Sequence, residues 1–188
     1  MSNTARSIGE ILRTASDGST FALETIEYEH HEVHAGSSFV ASGTADVANA
    51  GTVNAVIKAP AGSKYLHAVF EVTSESEVAF NFYEGFVAGT GGTVGAAVAS
   101  HNRNRNSATA ATGLVYTGAS VGTVGGTIGT LLYASHWGSG KGVGGGARSS
   151  SEWVLKANTQ YLLEVVNATA NANYTAWSFN WYEHTDKE

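Results

Sequence analysis

The sequence predicts an all-β fold, a jelly-roll-like β-sandwich with a short N-terminal arm or helix and long glycine-rich loops. Three observations carry this. From Ile26 onward, apolar and polar residues alternate with a period of two in several runs of strand length. Those runs are rich in aromatic and β-branched residues, which suit a pleated, half-buried surface. Turn-forming residues separate them, and the 188 residues include one proline and no long helical pattern.

Residues 1–25 stand apart. Ile8, Ile11 and Leu12 recur at helical spacing, with Ser7 as an N-cap and Gly18 beyond the end. One or two turns of amphipathic helix are too short to hold without a partner, so this segment is expected to be an arm that docks on another surface. The rest, 26–188, reads as one sandwich domain with a glycine-rich insertion at 85–146, which holds 17 of the 23 glycines.

Within the domain, Leu66, Ala68, Phe70 and Val72 share one face of a strand, and Val78, Phe80 and Phe82 one face of the next. Ser151 to Ala157 and Tyr161 to Val166 read as two more strands. In the last strand Trp177, Phe179 and Trp181 alternate with Ser178, Asn180 and Tyr182, and core packing is the reading adopted for the two tryptophans. Turns fall at Ala50-Gly51, Pro60-Ala61-Gly62, Glu84-Gly85, Ala157-Asn158 and Ala172-Asn173, giving about eight to ten strands. Short strands are expected within the insertion at Gly92 to Ser100, Leu114 to Thr117 and Thr127 to His136. Gly138 to Gly146 is expected to be a mobile loop, because glycine loses the most entropy on ordering.

Composition excludes several classes. With 43% hydrophobic residues the chain folds rather than staying disordered. Ten basic residues and a net charge of −6 argue against a nucleic-acid or anionic-membrane binder, which needs Lys and Arg to displace counterions. The absence of cysteine removes disulfides, thiolate metal sites and cysteine nucleophiles. Met1 to Gly9 lacks the pattern of a signal peptide, and no run approaches the roughly 20 apolar residues of a membrane span.

Several motifs invite chemistry. On a strand, His30, Glu32 and His34 of His30-His31-Glu32-Val33-His34 would share a face and offer three ligands to a metal ion; a polar or interface strand is preferred. Gly118-Ala119-Ser120-Val121-Gly122 matches the hydrolase nucleophile elbow in letters, but no helix follows it. Gly140 to Gly145 matches a dinucleotide fingerprint without the βαβ unit that fingerprint requires. Glu27, Glu29, Glu71, Glu84 and Glu164 leave a paired-carboxylate site open. Tyr83, Trp137 and Tyr182 are candidates to stack on sugar. Asn167-Ala168-Thr169 and Asn173-Tyr174-Thr175 match the glycosylation sequon. The run His101-Asn102-Arg103-Asn104-Arg105-Asn106-Ser107, if extended, places His101, Arg103 and Arg105 on one side, suited to an intersubunit contact. No catalytic residue, cofactor or resident metal is expected.

Two segments carry a resemblance. Ile26 to Phe39, with its His-His-Glu-Val-His-Ala-Gly-Ser-Ser-Phe opening, and His101 to Ser107 are similar to small structural proteins of tailed bacteriophages, of the head decoration or cement type. The resemblance implies a non-enzymatic, often trimeric β-sandwich made in the host cytoplasm and bound to the capsid exterior across junctions of the major capsid protein. On that reading Arg6, Ile8, Ile11, Leu12 and Arg13 contact the capsid, and His101, Arg103 and Arg105 contact a neighbouring subunit; neither nucleic acid nor membrane is a partner. The alternative is a receptor- or glycan-binding module of a tail fibre or capsid surface.

Overall fold

The computed structural model describes residues 28–138, 143–146 and 152–185. The expected arm, with Arg6, Ile8, Ile11, Leu12 and Arg13, lies outside the described residues. One helix, α1 (Tyr28–Ala35), leads into β1 (Ser38–Val47), β2 (Thr52–Lys58), β3 (Lys64–Ser74) and β4 (Val78–Glu84). The glycine-rich segment contributes β5 (Ala96–Val98), β6 (His101–Asn102), β7 (Leu114–Thr117), β8 (Thr130–Trp137) and β9 (Val143–Gly146). The chain closes with β10 (Trp153–Leu155), β11 (Gln160–Asn167) and β12 (Asn173–Thr185). Among the described residues no helix is long and apolar enough to cross a membrane.

The strands form two antiparallel sheets packed as a β-sandwich. In the first, β12 is central between β1 and β3, β6 extends β1, and β9 and β10 share the remaining edge of β3. The second runs β5-β7-β2-β11-β4-β8. Strands β1 to β4 alternate between sheets, so β12 and β11 at the end of the chain each fill a place between two early strands.

The alternation read from the sequence is the burial pattern found. Leu66, Ala68, Phe70 and Val72 are buried on β3, Val78, Phe80 and Phe82 on β4, and Trp177, Phe179 and Trp181 on β12. Their rings meet between the sheets: Phe70 lies 4.8 Å from Phe82 and 6.2 Å, edge-on, from Phe80. Gly43 on β1 leaves room for Trp177, because a Cβ there would approach the indole Cζ2 to 2.7 Å. Full burial of each such side chain contributes about 1.5–3 kcal/mol, so this interior holds the domain together.

Three expectations need correcting. His30 to His34 is helical, not a strand. The helix stops at Gly36, whose φ of +74° suits glycine, with Gly36 N–H donating to Val33 O and Ser37 N–H to Glu32 O, both at 3.1 Å. That bond pair is the Schellman stop. The helix escapes periodicity because Val33 and Ala35 are its only aliphatic residues, set among three histidines and two glutamates. Secondly, Gly138 to Gly146 is not all loop, since Val143–Gly146 pairs with Glu71 to Ser74. Backbone hydrogen bonding to the open edge of β3 offsets the entropy that glycine gives up. Thirdly, His101 to Ser107 is extended only over β6 and then turns.

That turn is built from asparagine. Asn102 Oδ1 accepts from Asn104 N–H at 2.9 Å, and Asn104 Oδ1 from Asn106 N–H at 3.1 Å, successive Asx turns. The amide of Asn102, buried, donates to Gly36 O and Thr109 O, while that of Asn104 reaches His34 O. The loop beyond is tied down by Glu183, itself buried. Its carboxylate accepts from Thr112 N–H, Gly113 N–H, the Thr112 hydroxyl and Trp181 Nε1–H at 2.5–3.1 Å.

Candidate functional site

The glycines at 85–129 build a third layer on the outer face of the second sheet. Residues 86–95 run antiparallel to 118–129, bridged at Val87 and Thr127, Thr90 and Val124, and Thr93 and Ser120. Paired N–H···O bonds of 2.8–3.0 Å close the outer two bridges, and at the middle one Thr90 N–H donates to Val124 O while Thr90 O accepts from Thr123 N–H. Between bridges the backbones pack directly: a Cβ on Gly92 would overlap Ala88 O and Gly122 N, and one on Gly122 would overlap Thr90 O. Only glycine permits that approach. Underneath, Val56, Phe86, Ala119 and Leu162 form a second buried cluster, with Val94 and Ile128 packed against it. Asn54 pins the layer, its side-chain amide donating to Ala119 O at 2.9 Å and its backbone carbonyl accepting from Gly118 N–H.

A short repeat writes this layer into the sequence: Gly92-Thr93-Val94-Gly95, Gly122-Thr123-Val124-Gly125 and Gly126-Thr127-Ile128-Gly129. In the first and third copies the threonine Oγ1 accepts from the N–H of the closing glycine, at 3.0 and 3.1 Å. In those same two copies the apolar residue points inward. The copies begin at 92, 122 and 126, so they make no fixed period, and read from the sequence alone no internal repeat of fixed length stands out. On the other side of the layer Val87, Val121 and Val124 are 46%, 43% and 67% exposed. Rigid backbone carrying exposed valines is a surface suited to packing on another protein.

On the outer face of the first sheet lies a polar cluster of which the sequence pointed to Tyr182 alone. His67 on β3 faces Tyr182 on β12, their rings stacked at 4.6 Å and 15°. Glu152 Oε1 lies 2.6 Å from His67 Nδ1 and accepts from the Tyr182 hydroxyl at 2.8 Å. His184 completes the group, its Nε2 2.8 Å from that of His67. His67 lies 115 and 117 positions from Tyr182 and His184, which the β3–β12 register sets beside it, and the pairing of β10 with β3 brings in Glu152.

The residues singled out in the sequence are dispersed. His30 and His34 lie one helical turn apart with rings tilted at 49°, Nε2 to Nε2 at 2.9 Å and exposed. Glu32 is buried and accepts from the Ser37 hydroxyl, so the three do not converge. No group of three metal-ligating side chains exists among the described residues. His101, Arg103 and Arg105 are exposed, with Arg103 N–H bonded to Ser38 O at 2.9 Å. Ser120, the central residue of the elbow-like motif, is exposed and bridged to Thr93, and the chain continues as the glycine layer.

The aromatic and carboxylate candidates are largely engaged in packing. Trp137 is half-buried and packs edge-on to Phe80 at 4.7 Å, and Tyr182 is buried on the cluster above. Glu164 accepts from Asn81 and Tyr83; partial burial and the Glu164 charge raise the Tyr83 hydroxyl. Lys156, bonded to Glu84 at 2.6 Å, holds that carboxyl below the usual range. Burial pushes the Tyr161 hydroxyl up to about 12, and its 2.9 Å bond to Glu84 adds to the rise. Both sequon asparagines are buried: Asn167 donates to Val47 O, Ala48 O and Asn171 O, and Asn173 to Glu77 O. A cavity of about 260 Å³ beside β5 and β7 is lined mainly by small residues, with Tyr116 its one titratable side chain.

No family model, curated protein or solved structure matches the chain.

Proposed function

We propose that the protein is a non-enzymatic structural component of a phage virion, which decorates the capsid exterior by seating the glycine-rich layer across junctions of the major capsid protein. The observation that carries this reading is the layer itself. Direct backbone packing makes it stiff, and Val87, Val121 and Val124 give it exposed apolar contact points. A preorganised surface loses little entropy on docking. Modest contacts repeated over a symmetric lattice give high avidity.

In this reading the sandwich is a jelly roll, which the order β1-β12-β3 with β9 and β10 against β2-β11-β4-β8 supports. A homotrimer would cover the sheet edges that β6, β8 and β10 leave open, and residues 1–25 would reach over a seam as the arm. A second reading, a glycan- or receptor-binding module, draws on Tyr133 and Tyr174, which are 43% and 48% exposed.

Co-sedimentation with empty capsids of the encoding phage tests the proposal. Val124→Asp should lower capsid binding at least about tenfold while leaving the melting temperature unchanged, because the residue is exposed. Unaltered binding by V124D rejects the layer as the contact; glycan binding without capsid binding selects the second reading.

A further inference from the structure

The cluster on the outer face of the first sheet aims two ring nitrogens at one point. His67 Nδ1 lies 2.6 Å from the Glu152 carboxylate and His184 Nδ1 lies 3.1 Å from the carbonyl oxygen of Thr185. Carboxylate and carbonyl oxygens only accept, so the hydrogen-bond network assigns a hydrogen to each Nδ1. A neutral ring protonated there carries its lone pair on Nε2. The two Nε2 atoms are 2.8 Å apart, with ring centroids at 4.4 Å. Two lone pairs facing each other at that distance repel unless a cation lies between them.

We propose that His67 and His184 form a binding site for a divalent transition-metal ion, chelated through both Nε2 atoms. Any proton shared between the rings leaves to solvent when the ion enters. The surroundings have the character of an outer shell, in which a ligating imidazole gives its other N–H to a carboxylate or a backbone carbonyl. Glu152 and Thr185 O supply these two partners. Tyr182 is a positioning residue, stacked on His67 and donating to Glu152.

The spacing also selects among ions. Ligand nitrogens about 2.0–2.1 Å from a metal are about 2.9 Å apart when they subtend a right angle and about 3.4 Å apart in a tetrahedron. A separation of 2.8 Å fits the right angle, which square-planar or tetragonal Cu²⁺ and Ni²⁺ adopt. The His67 side chain is 14% exposed and His184 half-buried, so an ion enters from solvent and water fills its remaining positions. This inference stands independently of the capsid reading.

The other histidine pair, His30 and His34 on α1, provides the control. Metal-stripped full-length protein is titrated calorimetrically with Cu²⁺, Ni²⁺ and Zn²⁺ near neutral pH. Cu²⁺ and Ni²⁺ should bind more tightly than Zn²⁺, and the Cu²⁺ electron paramagnetic resonance spectrum of the wild type should show nitrogen ligation. His184→Gln should weaken the tightest site more than about 100-fold, and Glu152→Gln should weaken it about 10- to 100-fold. The double variant His30→Gln/His34→Gln should keep it within about twofold of wild type. Melting curves of the metal-free variants establish that each folds; should H184Q not fold, E152Q and the wild-type spectrum decide. Loss of the tightest site in the α1 variant with retention in H184Q or E152Q overturns the proposal, as does a wild-type chain that binds none of the three ions.

Discussion

Between the two sheets Trp177, Phe179 and Trp181 interlock with Phe70, Phe80 and Phe82, and side chains fill the space. Between residues 86 and 129 the arrangement is inverted. Side chains are absent where the two segments meet, and carbonyl and amide groups of Ala88, Thr90, Gly92 and Gly122 lie in direct contact. Both regions are ordered and both bury apolar residues, but the interior depends on side-chain volume and the outer layer on the lack of it. Glycine in a long surface segment is therefore not by itself a mark of mobility. It serves as a packing residue wherever backbones must come closer than a Cβ allows.

The largest expected effect lies in the interior. Tyr161 is itself buried and holds its hydroxyl at the edge of the interior, donating to Glu84 and accepting from Lys156 N–H at 2.9 Å. Its folded-state value of about 12 lies above the usual 10.0. A raised value means the folded state keeps the proton longer, so this stabilisation is complete below pH 10 and disappears as pH rises to about 12. Two pH units correspond to about 3 kcal/mol. Denaturant melts across this range should show that loss in the wild type and a much shallower slope in Tyr161→Phe. Part of the slope should persist, because the Tyr83 hydroxyl is raised as well. Equal slopes in both proteins would mean that the Tyr161 hydroxyl is not held by the interior.

Next comes the layer. Gly92→Ala places a methyl group against Ala88 O and Gly122 N, which are backbone atoms and cannot swing aside. Overpacking of this kind costs about 1–3 kcal/mol. The loss should be local, seen as faster amide exchange at Thr90, Thr93 and Ser120, with the β3–β12 amides unaffected. Gly138→Ala is the matched control, since nothing lies within 4 Å of its added Cβ, and should stay within about 0.5 kcal/mol. If the two substitutions behave alike, the contrast between interior and layer collapses.

The same contrast explains what could be read from the sequence. Strands β3, β4 and β12 are legible because each buries mainly one face, and burial of alternate residues forces a period of two on Leu66 to Val72 and Trp177 to Trp181. Strand β11 buries both faces, Leu163 between the sheets and Leu162 under the glycine layer, and is legible by its aromatic and β-branched content. Helix α1 is not legible, as it buries little, and its end is marked by Gly36 instead of by an apolar stripe. The glycine layer is half legible. Its composition is plain, but its order depends on pairing Thr90 with Val124 and Thr93 with Ser120, contacts about thirty residues apart. The His67–His184 pair lies further from view. Two histidines 117 positions apart become neighbours through strand register alone, which no local pattern encodes.

The smallest effect probes whether the four-residue repeat has a mechanism. Thr93 and Thr127 each accept the N–H of the glycine two residues on, closing the turn whose final glycine has φ of +96° or +99°. Thr127→Val keeps the branched shape and removes only the acceptor oxygen. The Gly129 amide is then left to solvent, at a cost of about 1 kcal/mol. Amide exchange at Gly129 should quicken about fivefold, a factor that roughly 1 kcal/mol supports, while Thr127 and Val87, bonded through their backbones, keep their protection. Unchanged exchange at Gly129 would show that threonine recurs in the repeat for its β-branched shape, with the turn held by glycine alone; quickened exchange at Val87 as well would show that the turn and the bridge beside it open as one unit.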